Sequence, residues 1–192
     1  MFDKASDDED KALIKRAAAG DDSAFTSIMR KYKSPLYRFA YRHMGDADDA
    51  EDIVQDTFIA MHRNLAKFNP KYKFSTWAFQ IAMNKCRDLG RKKKTRSFIQ
   101  RMSPVMEKIV SNIEVQDNPE DAIDDKRKLE TVNAAIARLP ENLKAPLILC
   151  TIENLSHKQA ATILQISPKA VETRIYRART KLTDSLSAEF IP

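Results

Sequence analysis

Four polar side chains, Gln80, Asn84, Arg87 and Arg91, recur at intervals of four, three and four residues. On an α-helix that spacing sets them on one face. Amides can pair with base edges, and guanidinium groups can grip phosphate or guanine. Lys92, Lys93, Lys94 and Arg96 extend the positive charge. Just upstream, Phe68, Tyr72, Lys73 and Phe74 form a basic, aromatic stretch whose rings could support an unstacked base. Phe74 and Trp77 read as core. A solvated helix face is the competing reading of the stripe, but the amide, arginine and aromatic groups together favour single-stranded or melting DNA.

A second cluster lies in LSHKQAATILQISPKAVETRIYRARTKL, residues 155–182, where two short helical patterns meet at Gln165, Ile166 and Ser167. Ser156 and Ser167 are placed to cap them, and Pro168 to open the second. A close-packed hairpin of helices needs a small residue, a turn residue four later and an apolar residue six after that. Ala161 and Val171 fit, whereas Gln165 stands where glycine is expected. A left-handed backbone at Gln165 costs on the order of 1 kcal/mol. Val171, Ile175, Ala178 and Leu182 make the inward stripe of the last helix. Lys169, Glu172, Thr173, Tyr176, Arg177 and Thr180 point away from it, flanked by Arg174, Arg179 and Lys181. Such a face suits a major groove, with the bases on its flanks holding phosphate.

Catalytic chemistry finds little support. His43, His62 and His157 are too scattered for a metal site or a triad, and Gly20, Gly45 and Gly90 build no phosphate-cradling loop. No catalytic residue, cofactor or metal is expected.

The elements that must position these groups are helical. The 192 residues are 43% hydrophobic and 31% charged, with only 3 glycines, which argues for an all-α chain. Charge is segregated: residues 46–56 carry six acids and no base, residues 85–101 eight bases and one acid, and residues 114–125 six acids and no base. Basic blocks suit phosphate and acidic ones repel it, so different faces should meet different partners. Helices are predicted from about Asp8 to Ala19, from Asp22 to Gly45 with a break or kink at Pro35, from Asp46 or Asp48 to Leu65, and from a Ser75 cap to Lys93. The helical pattern returns at Lys128, with Leu129, Val132, Ile136 and Leu139 inward, and stops at Pro140. A further helix carries Leu147, Ile148 and Cys150, with Pro146 near its first turn. Residues 95–127 read as a linker, with a turn or two of helix possible over 105–113. The acidic start is not expected to be a signal peptide, the apolar run 145–150 is too short to span a bilayer, and Cys86 and Cys150 read as free thiols of a cytoplasmic protein.

Three motifs, DAEDIVQDTFIAMHRNLAKF at 49–68, FSTWAFQIAMNKCRDLGRKK at 74–93 and LPENLKAPLILCTIENLSHKQAATILQISPKAVETRIYRARTKL at 139–182, together resemble the extracytoplasmic-function group of bacterial RNA polymerase sigma factors. The resemblance covers nearly the whole chain. It implies two small helical domains, at 1–94 and 128–187, joined by a flexible acidic linker at 95–127. It also implies that Asp49, Asp52, Gln55 and Asp56 dock on coiled-coil helices of the polymerase clamp, and that the outer surface of the C-terminal domain, around Leu147, meets the flap. Phe68, Tyr72, Lys73, Gln80, Asn84, Arg87 and Arg91 would melt and read the minus-ten element. Lys169, Glu172, Thr173, Arg174, Tyr176, Arg177 and Arg179 would read the minus-thirty-five element. Glu172 stands where the family often has a base. An anti-sigma factor is the implied regulator. The two elements lie about 25 base pairs apart by name, ~85 Å along B-DNA, and thirty-odd extended residues reach up to roughly 110 Å. A conventional repressor using only the C-terminal hairpin is the alternative; it leaves the polar stripe and the acidic third helix without a role.

Overall fold

The structure, a computed structural model, describes residues 4–102 and 120–190, with side chains over 7–96 and 128–187. Among these residues it is helical and contains no strand. The helices are α1 (Lys4–Ala18), α2 (Asp22–Met44), α3 (Ala47–Asn64), α4 (Phe74–Met102), α5 (Glu120–Arg138), α6 (Glu141–Leu147), α7 (His157–Leu164) and α8 (Pro168–Phe190). A 3-10 turn, Leu65–Lys67, follows α3, and a π-helical turn, Ile148–Ile152, follows α6.

In the N-terminal half, the stripe Phe25, Ile28, Tyr32, Leu36, Phe39, Ala40 of α2 is buried against Ile53, Val54, Phe58 and Met61 of α3 and against α4. Tyr32 meets Phe74 edge-on with ring centres 5.2 Å apart, and Phe39 meets Phe79 at 5.5 Å. Such pairs add specificity to the apolar burial. Helix α1 is tied on by polar groups: the Tyr32 hydroxyl donates to the buried Asp10 carboxylate, which also receives Lys31 Nζ at 2.6 Å. Burial and the adjoining acid both push the Tyr32 phenol up from its ordinary range.

Several helix ends differ from the sequence expectation. Pro35 lies inside α2 without ending it, because the fully buried Leu36 and Phe39 just after it hold the next turn in the core. Ser75 is not a cap: α4 already begins at Phe74, and Ser75 is buried. Helix α4 runs on to Met102 and α5 begins at Glu120, so both extend into the stretch read as linker. The helical turn considered over 105–113 lies outside the described residues. Leu129, read as inward, is exposed, and so is Met29 on α2.

The C-terminal half packs α6, α7 and α8 around Leu143, Leu147, Ile148, Leu149, Ile163, Leu164, Val171, Ile175 and Ala178. Pro146 falls in the last turn of α6 rather than its first. Proline has no N–H to donate, so the ladder loosens there. The chain widens into the π turn, where the Glu153 N–H reaches the Ile148 carbonyl at 3.0 Å.

The two halves also pack on one another. Helix α4 touches α7, and α2 touches both α5 and the π turn. The buried apolar residues of the halves form one continuous cluster.

Candidate nucleic-acid and polymerase interfaces

Local chemistry sets the helix-turn-helix. The Ser156 side chain accepts from the Gln159 N–H at 3.2 Å while the Gln159 side chain accepts from the Ser156 N–H at 2.9 Å. This reciprocal box fixes the start of α7. Gln165 adopts the left-handed conformation, φ 58° and ψ 45°, as the position demands of a residue that is not glycine. Ser167 Oγ accepts from the Ala170 N–H at 3.1 Å, and Pro168 opens α8. Val171, Ile175 and Ala178 are buried, and Leu182 packs against the core. The opposite face carries the predicted group intact: Lys169, Glu172, Thr173, Tyr176, Arg177 and Arg179 are exposed, and Arg174 is partly so. Tyr176 is 73% exposed.

The stripe on α4 is present as well. Asn84 and Arg91 are exposed, and Gln80 and Arg87 are partly buried along the same helix. Arg91 is ion-paired to Asp88 one turn away. The preceding loop divides its aromatic residues. Phe68 is wedged 5.4 Å from Phe74 and 5.3 Å from Trp77, ring centre to centre, whereas Tyr72 is 60% exposed. Beside Tyr72 a cavity of about 200 Å³ is lined by Asp7, Lys11, Ile14, Phe68, Lys73 and Phe74, among others. Lys73 Nζ lies 2.5 Å from Asp7, so the N-terminal helix already neutralises it.

On α3, Asp46 caps the helix by accepting from the Asp49 N–H at 2.8 Å. Asp52, Gln55 and Asp56 are exposed. Asp56 lies 3.2 Å from Lys85 of α4. Asp49 differs from them: its side chain is 13% exposed and ion-paired to Lys93. The basic end of α4 therefore lies beside the acidic start of α3.

Two family models match: Sigma-70 region 2 over residues 28–96, and Sigma-70, region 4, over residues 129–182. The ECF RNA polymerase sigma factor SigW of Bacillus subtilis (strain 168) is 34% identical over 92% of this chain and 96% of its own length. CnrH of Cupriavidus metallidurans, an RNA polymerase sigma factor, is 32% identical over 95% and 97%. The chain belongs to the extracytoplasmic-function sigma factors of the sigma-70 family. It is a promoter-specificity factor of RNA polymerase. Among solved structures, CnrH in complex with the cytosolic domain of CnrY superposes with a TM-score of 0.71 at 29% identity, covering 94% of this sigma factor and 98% of that chain. RpoE of Bartonella quintana, solved with the anti-sigma factor NepR, shares the fold at TM-score 0.67 and 24% identity.

Two features of the sigma factor were not read from its sequence. A groove of about 730 Å³ runs between α2 and α3, floored by Phe25, Met29, Val54, Phe58 and Ile59, with Gln55 on its edge. The exposed Met29 and Ile59 were its signal, since each breaks an otherwise regular apolar stripe outward. The second is a set of contacts between the halves. Arg38 donates to Glu153 from Nη2 at 3.0 Å and Nε at 3.3 Å. His43 Nε2 lies 2.8 Å from Glu141, and Lys144 Nζ donates to the His43 carbonyl at 2.9 Å. Burial pushes Glu153 up despite Arg38, and burial also pushes Lys144 down despite Glu141. No sequence period links residues so far apart. Among the described residues no helix is long and apolar enough to cross a membrane.

Proposed function

We propose that residues 1–94 form the polymerase-docking and minus-ten domain, residues 128–187 the minus-thirty-five domain, and 95–127 the connection. Asp52, Gln55 and Asp56 meet basic groups on the clamp helices, and the groove beside Gln55 receives their apolar side chains. Asp49 acts at a distance, by holding Lys93. Asn84 reads a base of the non-template strand, Gln80, Arg87 and Arg91 hold the strand around it, and Tyr72 supplies the ring on which the base stacks. Phe68 supports that ring's loop from below, and Lys73 exchanges Asp7 for phosphate. Extruding a base costs a few kcal/mol, which these loop contacts must offset.

On α8, Glu172, Thr173, Tyr176 and Arg177 face base edges, and Lys169, Arg174 and Arg179 face the backbone. Glu172 accepts from a cytosine amine. The chain performs no chemistry of its own; it supplies binding energy and position to the enzyme it joins. It works in the cytoplasm, and a soluble anti-sigma segment holds it inactive, by analogy with CnrH and the cytosolic domain of CnrY.

One observation carries this reading: two separate faces suited to nucleic acid, on α4 and α8, occupy one chain together with an acidic, exposed helix face that DNA would repel. Run-off transcription with core polymerase and a randomised promoter library tests it. New start sites sharing two elements are expected when the chain is added. Tight, specific duplex binding by the chain alone, with no effect on polymerase, would favour the repressor instead.

A further inference from the structure

Lysines from two elements converge on the cavity beside the aromatic loop. Lys11 comes from α1, and Lys71 and Lys73 come from the loop before α4; with Asp7, Phe68 and Tyr72 they line its space of about 200 Å³. The local sequence sets this approach. Asn69 accepts from the Lys71 N–H at 3.0 Å through its side chain and from the Tyr72 N–H at 3.1 Å through its carbonyl. Pro70 takes the second position of that turn, which its fixed φ suits.

Cations gathered in this way repel one another unless an anion lies among them. Asp7 supplies that anion: its carboxylate receives Lys73 Nζ at 2.5 Å, and its side chain is 16% exposed. Asp7 is not what seats α1. The buried Asp10 carboxylate receives both the Tyr32 hydroxyl and Lys31 Nζ, Lys31 also reaches Glu9 at 2.9 Å, and Ile14 is buried in the core. An acid near the start of a helix can serve the helix dipole alone, but that role does not call for a lysine from another element.

We propose that this cavity is a seat for one backbone phosphate of the non-template strand, held by Lys11, Lys71 and Lys73, and that Asp7 is the chain's own occupant of it, which the strand must displace. The inference rests on the minus-ten reading given under Proposed function. It adds Lys11 and Lys71 as strand contacts, α1 as a wall of the strand's path, and Asp7 as an internal competitor.

The exchange conserves charge. A phosphodiester carries one negative charge, as the carboxylate does, and offers oxygen acceptors to the same ammonium groups. A partly exposed ion pair holds its partners weakly. The Asp7–Lys73 pair therefore gives way to a strand that brings further contacts, with its base on Tyr72 and at Asn84. Once displaced, Asp7 stays near the phosphate and repels it. Contact with phosphate alone then contributes little, and the free chain is kept from coating single strands indiscriminately.

Binding of fluorescent single-stranded oligonucleotides to the full chain, read by anisotropy, tests the seat. Two strands are compared: the minus-ten element recovered by run-off selection, and oligothymidine. Asp7→Asn keeps the shape of the side chain and removes its charge. It is expected to raise affinity for both strands by about threefold to fivefold, because the lost pair and the lost repulsion depend on charge and not on sequence. That gain should shrink in a Lys73→Ala background, which marks the two residues as coupled. Lys11→Ala and Lys71→Ala are each expected to weaken binding to both strands and to reduce the slope of log K against log salt by about 0.7.

If Asp7 serves only the start of α1, Asp7→Asn lowers the melting midpoint and leaves affinity equal or weaker, and the proposal is overturned. A gain confined to one strand overturns it too, since Asp7 would then be a base contact. Saturable binding of inorganic phosphate, as tight as that of oligothymidine and equally strengthened by Asp7→Asn, would assign the seat to a free anion instead. A wild-type chain that prefers the minus-ten strand while Asp7→Asn changes nothing removes the seat and leaves the minus-ten reading in place. A wild-type chain with no such preference, alone or on core polymerase, sinks that reading and the seat with it.

Discussion

Lys169 Nζ lies 2.9 Å from a carboxylate oxygen of Glu172, one turn along the exposed face of α8. The lysine hydrogen bond is the main reason Glu172 is held below its ordinary titration range. At neutral pH the side chain is thus an acceptor with no proton to give. It needs a donor on the base edge, and in the major groove the cytosine amine is one. Glu172→Ala is expected to relax selection at one minus-thirty-five position by about tenfold, and Glu172→Gln to move it toward adenine. Sequencing transcripts from a library randomised across that element checks both. Unchanged selection in both variants would remove Glu172 from the reading set.

Tyr72 and Phe68 sit on the same loop but should fail differently. Tyr72 is exposed, so Tyr72→Ala removes a stacking surface and leaves the core alone. Loss of about 1–3 kcal/mol in affinity for the melted strand is expected, with thermal stability unchanged. Phe68 is packed against Phe74 and Trp77. Phe68→Ala should cost about 2 kcal/mol or more of folding stability. Oligonucleotide binding at a temperature where both variants are folded, together with denaturant melts, separates the two roles.

The acids of α3 divide in the same way. Asp52 and Gln55 face solvent, whereas Asp49 is largely covered and paired with Lys93. Asp52→Ala and Gln55→Ala are each expected to weaken binding to core polymerase, by about tenfold for the charged residue. Asp49→Ala should instead lower the unfolding midpoint and disturb the basic end of α4. Titration of labelled chain with core enzyme, in parallel with thermal melts, distinguishes these outcomes. A larger affinity loss in Asp49→Ala than in Asp52→Ala would reverse the assignment.

Gln165 carries a conformational cost at the centre of the helix-turn-helix. Its φ of 58° suits glycine. Gln165→Gly is expected to stabilise the chain by about 0.5–1 kcal/mol, since the side chain is exposed and its removal leaves no cavity. Chemical denaturation checks this, with promoter selection expected to stay the same.

The helix-turn-helix was legible because its signals are local. Cap, turn and apolar period all lie within 28 residues, and each acts on its neighbours. The α4 stripe was legible for the same reason. The break at Pro35 did not form, and Pro146 and Ser75 misled, because their usual effects can be overridden by burial, and burial is set by residues far away in sequence. Leu36 and Phe39 keep α2 whole across Pro35; the buried start of α4 leaves Ser75 with no exposed terminus to cap. The contacts of Arg38 with Glu153 and of His43 with Glu141 were invisible in principle, because charge pairs across two domains follow no period.

Asp21 provides a last test, within a single domain. Its carboxylate accepts from the Ser23 and Ala24 N–H groups at 3.0 and 3.1 Å, from Ser23 Oγ at 2.6 Å, and from Arg16 at 2.7 and 2.9 Å. It thereby caps α2, the helix that carries both the groove and the Arg38 contact. The Ser23 hydroxyl, then Arg16 and the Ala24 N–H, hold Asp21 well below its ordinary value of 3.8. A carboxyl depressed in the folded state adds stability above its unfolded pKa, and that stability is lost as pH falls through the folded value. Asp21→Ala is expected to lower the melting midpoint by about 2–4 °C near neutral pH. The gap from wild type should hold down to about pH 4 and close progressively below it. Asp21→Asn keeps an acceptor for the helix N–H groups but loses the charge facing Arg16, so it should fall between the two at neutral pH. A gap that widens on acidification, or an Asp21→Asn variant less stable than Asp21→Ala, would show that the cap does not act through its ionised carboxylate.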